Sequence, residues 1–125
     1  MKTLLLLFLA INTYAQESER GPHQGAIRTA GHFKIELLGC TDHVEVYLLD
    51  KDAQEMSNYD IHGKVAFTFK NNITKEVPLQ PYGRDGFSAK IPQSEFFNCF
   101  VTIEILSSPI TASFESECNK VVGAK

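Results

Sequence analysis

The segments His32-Phe33-Lys34-Ile35-Glu36-Leu37-Leu38 and His43-Val44-Glu45-Val46-Tyr47-Leu48-Leu49-Asp50 decide the fold of this chain. Phe33, Ile35 and Leu37 fall on one face of the first segment. Val44, Val46 and Leu48 do the same in the second. Successive side chains of a strand point to opposite sides, so apolar residues at every second position mark a strand with one buried face. The break between the segments, Gly39-Cys40-Thr41-Asp42, is turn chemistry. Pairing Leu38 with His43 sets Leu37 opposite Val44, Ile35 opposite Val46 and Phe33 opposite Leu48. Every inward residue then meets another, as a hairpin with one buried face requires.

The alternation continues through Val65, Phe67 and Phe69, then Val77 and Leu79, then Phe87, Ala89 and Ile91. It closes with Val101, Ile103 and Ile105, and with Ile110, Ala112 and Phe114. Asn71-Asn72-Ile73 and Pro81-Tyr82-Gly83-Arg84-Asp85-Gly86 supply further turns. Pairing Phe67 with Val77, and Leu79 with Phe87, again matches inward with inward. No stretch shows the helical period. These features predict an all-β fold, an antiparallel immunoglobulin-like β-sandwich of seven to eight strands. Tyr47 and Leu49 point away from the Phe33 side, so that outer face is expected to be covered, by the segment 26–30.

Outside this pattern lies the N-terminus. Lys2 precedes the apolar run Leu4-Leu5-Leu6-Leu7-Phe8-Leu9-Ala10-Ile11, and Thr13-Tyr14-Ala15 follows. This is the layout of a secretory signal cut between Ala15 and Gln16. The run is far short of the ~20 apolar residues that span a bilayer. The expected domains are a signal peptide at 1–15, a flexible polar segment at 16–22, and a sandwich at 23–125 with a polar C-terminal tail. The expected compartment is periplasmic or extracellular, with no membrane span in the mature chain. Of 125 residues, 12 are basic and 15 acidic, and losing Lys2 leaves 11 against 15. An acidic balance argues against nucleic acid as a partner.

Three cysteines, Cys40, Cys99 and Cys118, leave at least one without an intrachain partner, and the pairing stays open. No C-x-x-C is present, which disfavours a thioredoxin-like site. G-x-S-x-G, H-E-x-x-H, phosphate-loop and dinucleotide signatures are all missing, so an enzyme is not expected. Asn72-Ile73-Thr74 matches a glycosylation sequon, but it fits a hairpin turn. Phe96-Phe97 reads as core at one end of the sandwich.

The four histidines, His23, His32, His43 and His62, lie at or near strand ends, where loops carry function. His32 and His43 open paired strands, which places them about 20 Å apart at ~3.4 Å per residue. His62 belongs to the His32 end, as does the Pro81–Gly86 loop. The first candidate metal cluster is therefore His32, Met56 and His62, with Asp60 or Asp85. Imidazole with thioether suits a soft ion such as copper(I). A second cluster is His23, His43 and Cys40 at the opposite end. The competing reading is of solvated loop histidines that never converge.

Gly21-Pro22-His23-Gln24-Gly25-Ala26-Ile27, then Ala30-Gly31-His32-Phe33-Lys34-Ile35-Glu36-Leu37, then Val44-Glu45-Val46-Tyr47-Leu48-Leu49-Asp50, resemble a group of small exported bacterial domains. These begin with a G-P-H-G-G-like motif and continue into an aromatic-x-[IA]-E-[LV] strand and a V-x-V-Y-[LI]-L-D strand. They occur alone or beside the periplasmic adaptors of heavy-metal efflux systems. The resemblance is clearest over residues 21–50. It implies an all-β periplasmic module linked to metal handling, copper or zinc, with an efflux component as partner. Carried over by position, His23 is the motif histidine and Glu36 and Asp50 are the strand acids. Gln24 departs from the first glycine of the pair. The expected function is thus an exported, non-enzymatic binding or accessory module in metal handling. The alternative is a structural or adhesive module that binds a protein or glycan.

Overall fold

The computed structural model describes residues 20–39, 41–92 and 98–115. The expected signal peptide, Cys40, Phe96-Phe97 and Cys118 lie outside them. Among the described residues nine strands form two antiparallel sheets, and there is no helix. The strands are β1 (Ala26–Ala30), β2 (Phe33–Gly39), β3 (His43–Leu49), β4 (His62–Thr68), β5 (Thr74–Pro78), β6 (Gln80–Tyr82), β7 (Gly86–Lys90), β8 (Asn98–Ile105) and β9 (Ser108–Glu115). One sheet runs β1-β2-β3-β7-β6 and the other β5-β4-β8-β9.

The core is the set that alternation selects. Ile35, Leu37, Val44, Val46, Leu48, Phe87 and Ala89 face inward from the first sheet. Val65, Phe67, Cys99, Val101, Ile103, Ala112 and Phe114 meet them from the second. Arg28 of edge strand β1 lies with its guanidinium 5.3 Å from the Phe114 ring centre. Its apolar stem helps close the side where β1 approaches β9.

Two strands exceed the sequence expectation, and both are edge strands, β1 and β6. β6 has three residues, with Pro81 in the middle. Proline removes a ladder donor, so the strand is tolerated only where one side needs no partner. The hairpin registers also differ from those expected. Leu37 stands opposite Val46 and Ile35 opposite Leu48. Val65 pairs with Val77, and Pro81 pairs with Phe87. Each pairing is offset by two residues from the expected one. A slip of two returns every side chain to the same face, so hydrophobic pattern alone cannot see it.

The covering of the outer face of the five-stranded sheet is a correction. Segment 26–30 does not lie over it but extends it as β1. The cover comes from the turn before β1 and from the loop after β3. Ile27, Tyr47 and Leu49 form a second, outer cluster there, with Leu38 and Ala53 packed against them.

One end of the sandwich gathers the β1–β2 turn, the β3–β4 loop, the β6–β7 turn and the β8–β9 turn. Asn58 ties two of them: its Nδ2 donates to the carbonyls of Gly83 and Gly86, and its N–H to that of Arg84.

Candidate functional site

The outer face of the five-stranded sheet carries the densest polar chemistry of the described residues. Ile27, Glu36, Tyr47, Gly86 and Tyr82 stand in one row across β1, β2, β3, β7 and β6. Alternation puts Glu36 on the outward side, yet it is fully buried. What buries it is the tight turn Gly21–Gly25, closed by Gly21 N–H to the Gly25 carbonyl at 3.0 Å and Gln24 N–H to the Gly21 carbonyl at 2.9 Å.

A buried carboxylate is costly unless its lone pairs are filled. Here they are filled by the turn. Oε2 accepts the backbone N–H of His23 at 2.9 Å and of Gly25 at 2.8 Å, while Oε1 faces Nδ1 of His23 at 3.0 Å. Gly21 is required beside it, because a Cβ there would sit 2.4 Å from the Glu36 carboxyl carbon. Gly86 plays the same part under Tyr47, where a Cβ would come within 2.6 Å of the ring. His23 stacks on the Tyr47 ring at 3.7 Å and 13°. Its second nitrogen, Nε2, lies 3.1 Å from Oε2 of Glu55 on the β3–β4 loop.

A second histidine on this face has the same kind of setting. His43 Nδ1 is 2.9 Å from Asp42 Oδ1, and Nε2 is 3.4 Å from Glu45 Oε2. The Tyr47 hydroxyl donates to the other Glu45 oxygen at 3.0 Å. Burial, and then that hydrogen bond, push the Tyr47 phenol well above its ordinary range. The hydrogen bond with Asp42 raises the His43 pKa above 6.5, and its partner lowers that of Asp42 below 3.8. A raised histidine pKa contributes stability that is complete below 6.5 and lost as pH rises through the folded value. A lowered carboxyl contributes stability above 3.8 that is lost as acid reaches its folded value. Thermal stability should therefore fall from pH 6 to pH 8, and His43→Asn should reduce that fall. Melting curves of both proteins at the two pH values check this; equal slopes would refute it.

The turn also holds one residue with a Cβ in the left-handed region. Gln24 has φ of +70°, a conformation that costs a residue with a Cβ about 1–2 kcal/mol and glycine almost nothing. Gln24→Gly should raise stability by about 0.5–1 kcal/mol in urea unfolding, with the m-value unchanged.

The residues of the first expected cluster are placed as follows. His32 is exposed in the β1–β2 turn. His62 is exposed at the start of β4, its Nε2 3.8 Å from Asp60. Met56 packs against the main core. No described interaction joins the three. Of the second cluster, Cys40 lies outside the described residues. His23 and His43 share the outer face and are linked through Tyr47 and Glu45. Among the described residues no three His, Cys, Asp or Glu side chains group as ligands of one ion. Glu55 and Tyr47 carried no signal of a site in the sequence. The outward apolar pair Tyr47 and Leu49 was the one hint that this face is covered.

No family model, no curated protein and no solved structure matches this chain. No helix among the described residues is long and apolar enough to cross a membrane.

Proposed function

We propose that this chain is an exported, non-enzymatic, immunoglobulin-like β-sandwich that serves as a binding or accessory module in metal handling, with His23 as its principal ligand. The supporting observation is the pair of carboxylates about one imidazole. Metal-bound histidines donate their other ring N–H to a carboxylate, which fixes the tautomer and the ring plane. Buried Glu36 stands where it would do this at Nδ1. Nε2 is left to coordinate, beside Glu55.

The donor set fits a divalent ion. Two ligand atoms about 2.0–2.1 Å from one ion, at angles between square and tetrahedral, are about 2.9–3.4 Å apart. Nε2 of His23 and Oε2 of Glu55 are 3.1 Å apart. Imidazole with carboxylate suits zinc or copper(II) better than copper(I). Two protein ligands leave the rest of the shell to water or to a partner's donor. That suits transfer to an efflux component more than closed structural storage, which takes four protein ligands.

Calorimetry with zinc, copper(II), nickel and copper(I) tests this. Divalent ions should bind, and His23→Ala should abolish the heat. Glu36→Gln is the sharper variant. Its oxygen can still accept both backbone N–H groups, but its NH2 then faces Nδ1 and shifts the ring proton to Nε2. Affinity should fall about 10–100-fold while the fold persists. No heat with any ion at micromolar protein refutes the reading, as does unchanged binding in His23→Ala. The second reading, a structural or adhesive module, is favoured by the exposed apolar residues at the loop end.

A further inference from the structure

We infer that Tyr47 is the positioning residue of the His23 site: its ring, anchored at the hydroxyl by Glu45, holds the imidazole against tilting so that Nε2 meets an ion beside Glu55. This rests on the reading of His23 as a metal ligand. Glu36 selects the tautomer and aligns the ring at its Nδ1 edge, 3.0 Å from Oε1. A bond at one edge resists tilting of the far edge only weakly, and Nε2 is at the far edge. Its lone pair lies in the ring plane, so a tilt swings it away from an ion beside Glu55.

Tyr47 supplies the missing restraint. Its ring lies 3.7 Å from the imidazole, centre to centre, and 13° from parallel. The ring is itself held on several sides. It is 8% exposed and clusters with Ile27 and Leu49. Gly86 leaves room beneath it, where a Cβ would come within 2.6 Å. Its hydroxyl donates to Oε1 of Glu45 at 3.0 Å, and Oε2 of Glu45 lies 3.4 Å from His43 Nε2. Tyr47 also stands directly opposite Glu36 in the β2–β3 ladder. One cross-strand pair therefore carries both the carboxylate that orients His23 and the ring that flattens it.

The stack also gains strength when an ion binds. Coordination at Nε2 draws electron density from the imidazole and gives it cationic character. The face of a tyrosine ring attracts such a group. Donation of the hydroxyl to a carboxylate makes that ring more electron-rich. The contact is thus tighter in the ion-bound state than in the free one, which is what raises affinity.

Zinc titrations of the full chain, followed by calorimetry and NMR, test this in wild type, Tyr47→Leu and Tyr47→Phe. In wild type the Tyr47 ring resonances should shift and saturate together with those of the His23 ring. Tyr47→Leu keeps an apolar side chain in the outer cluster but removes the stack, and should bind zinc about three- to tenfold more weakly, the range for losing the pre-ordering of one side chain. The N–H groups of His23 and Gly25 should stay protected from exchange in that variant, since Glu36 still accepts them. Tyr47→Phe restores a ring beneath the imidazole and should rescue most of the affinity, which an effect of the hydroxyl alone would not allow. Equal affinity of Tyr47→Leu and wild type overturns the inference, as does Tyr47→Phe binding no better than Tyr47→Leu. Tyr47 resonances that zinc leaves unmoved in wild type overturn it too. Each of these leaves His23 standing as a ligand, whereas no zinc binding by wild type refutes that reading and this inference with it.

Discussion

Glu36→Ala should destabilise the protein by about 3–5 kcal/mol, the range for removing one member of a buried charged network. The carboxylate has no solvent contact and is bonded to three groups of the Gly21–Gly25 turn. Truncation leaves the N–H groups of His23 and Gly25 without their acceptor and opens a void between the turn and β2. An unsatisfied buried donor alone costs about 1–3 kcal/mol. Against a total stability of about 5–15 kcal/mol, such a loss is a large fraction. Urea unfolding of the two proteins measures it. Glu36→Gln should cost far less, because one oxygen still serves both backbone donors. A loss under about 1 kcal/mol for Glu36→Ala would show that the turn does not depend on this carboxylate.

Phe67→Ala should cost as much, about 3–5 kcal/mol, while Phe100→Ala should stay within about 1 kcal/mol. The two phenylalanines sit on neighbouring strands of one sheet, one residue out of step. Phe100 stands opposite Ala66, and Phe67 opposite Cys99. That single step decides everything. Phe67 faces the other sheet and is fully buried, whereas Phe100 faces outward and is 47% exposed. Removing the first leaves a cavity among close-packed side chains; removing the second gives surface back to water. Similar losses for both would mean that the outer face of the second sheet is covered in solution.

The strand faces were legible in the sequence for a simple reason. Side-chain direction in a strand has period two, and the residues around Ile35, Val46, Phe67 and Val101 repeat at that period. Register was not legible to the same degree. All three hairpins are offset by two residues from the alignment that alternation suggested, because such a slip leaves each inward residue inward. Turn geometry settles it, and turn geometry depends on backbone angles such as the +67° of Asn72, which no hydrophobic pattern encodes.

The site was less legible still. His23 and Glu36 are thirteen residues apart, and Glu55 lies nineteen beyond Glu36, so no short ligand spacing announces them. Glu36 occupies an outward position where a solvated acid is the ordinary case. Its burial follows from the chain folding back as a turn onto the sheet, with Gly21 leaving room for the carboxylate.

The sequence by itself determined an all-β chain, the inward side of most of its strands and the residues of its main core, since these follow from local periodicity and turn chemistry. Only the tertiary structure decided the two-sheet strand order, the exact pairings and the meeting of His23 with Glu36, Tyr47 and Glu55. Those depend on contacts between segments distant in the chain, and the free energy that selects them comes from burying and satisfying groups that have no partner until the sheets are assembled.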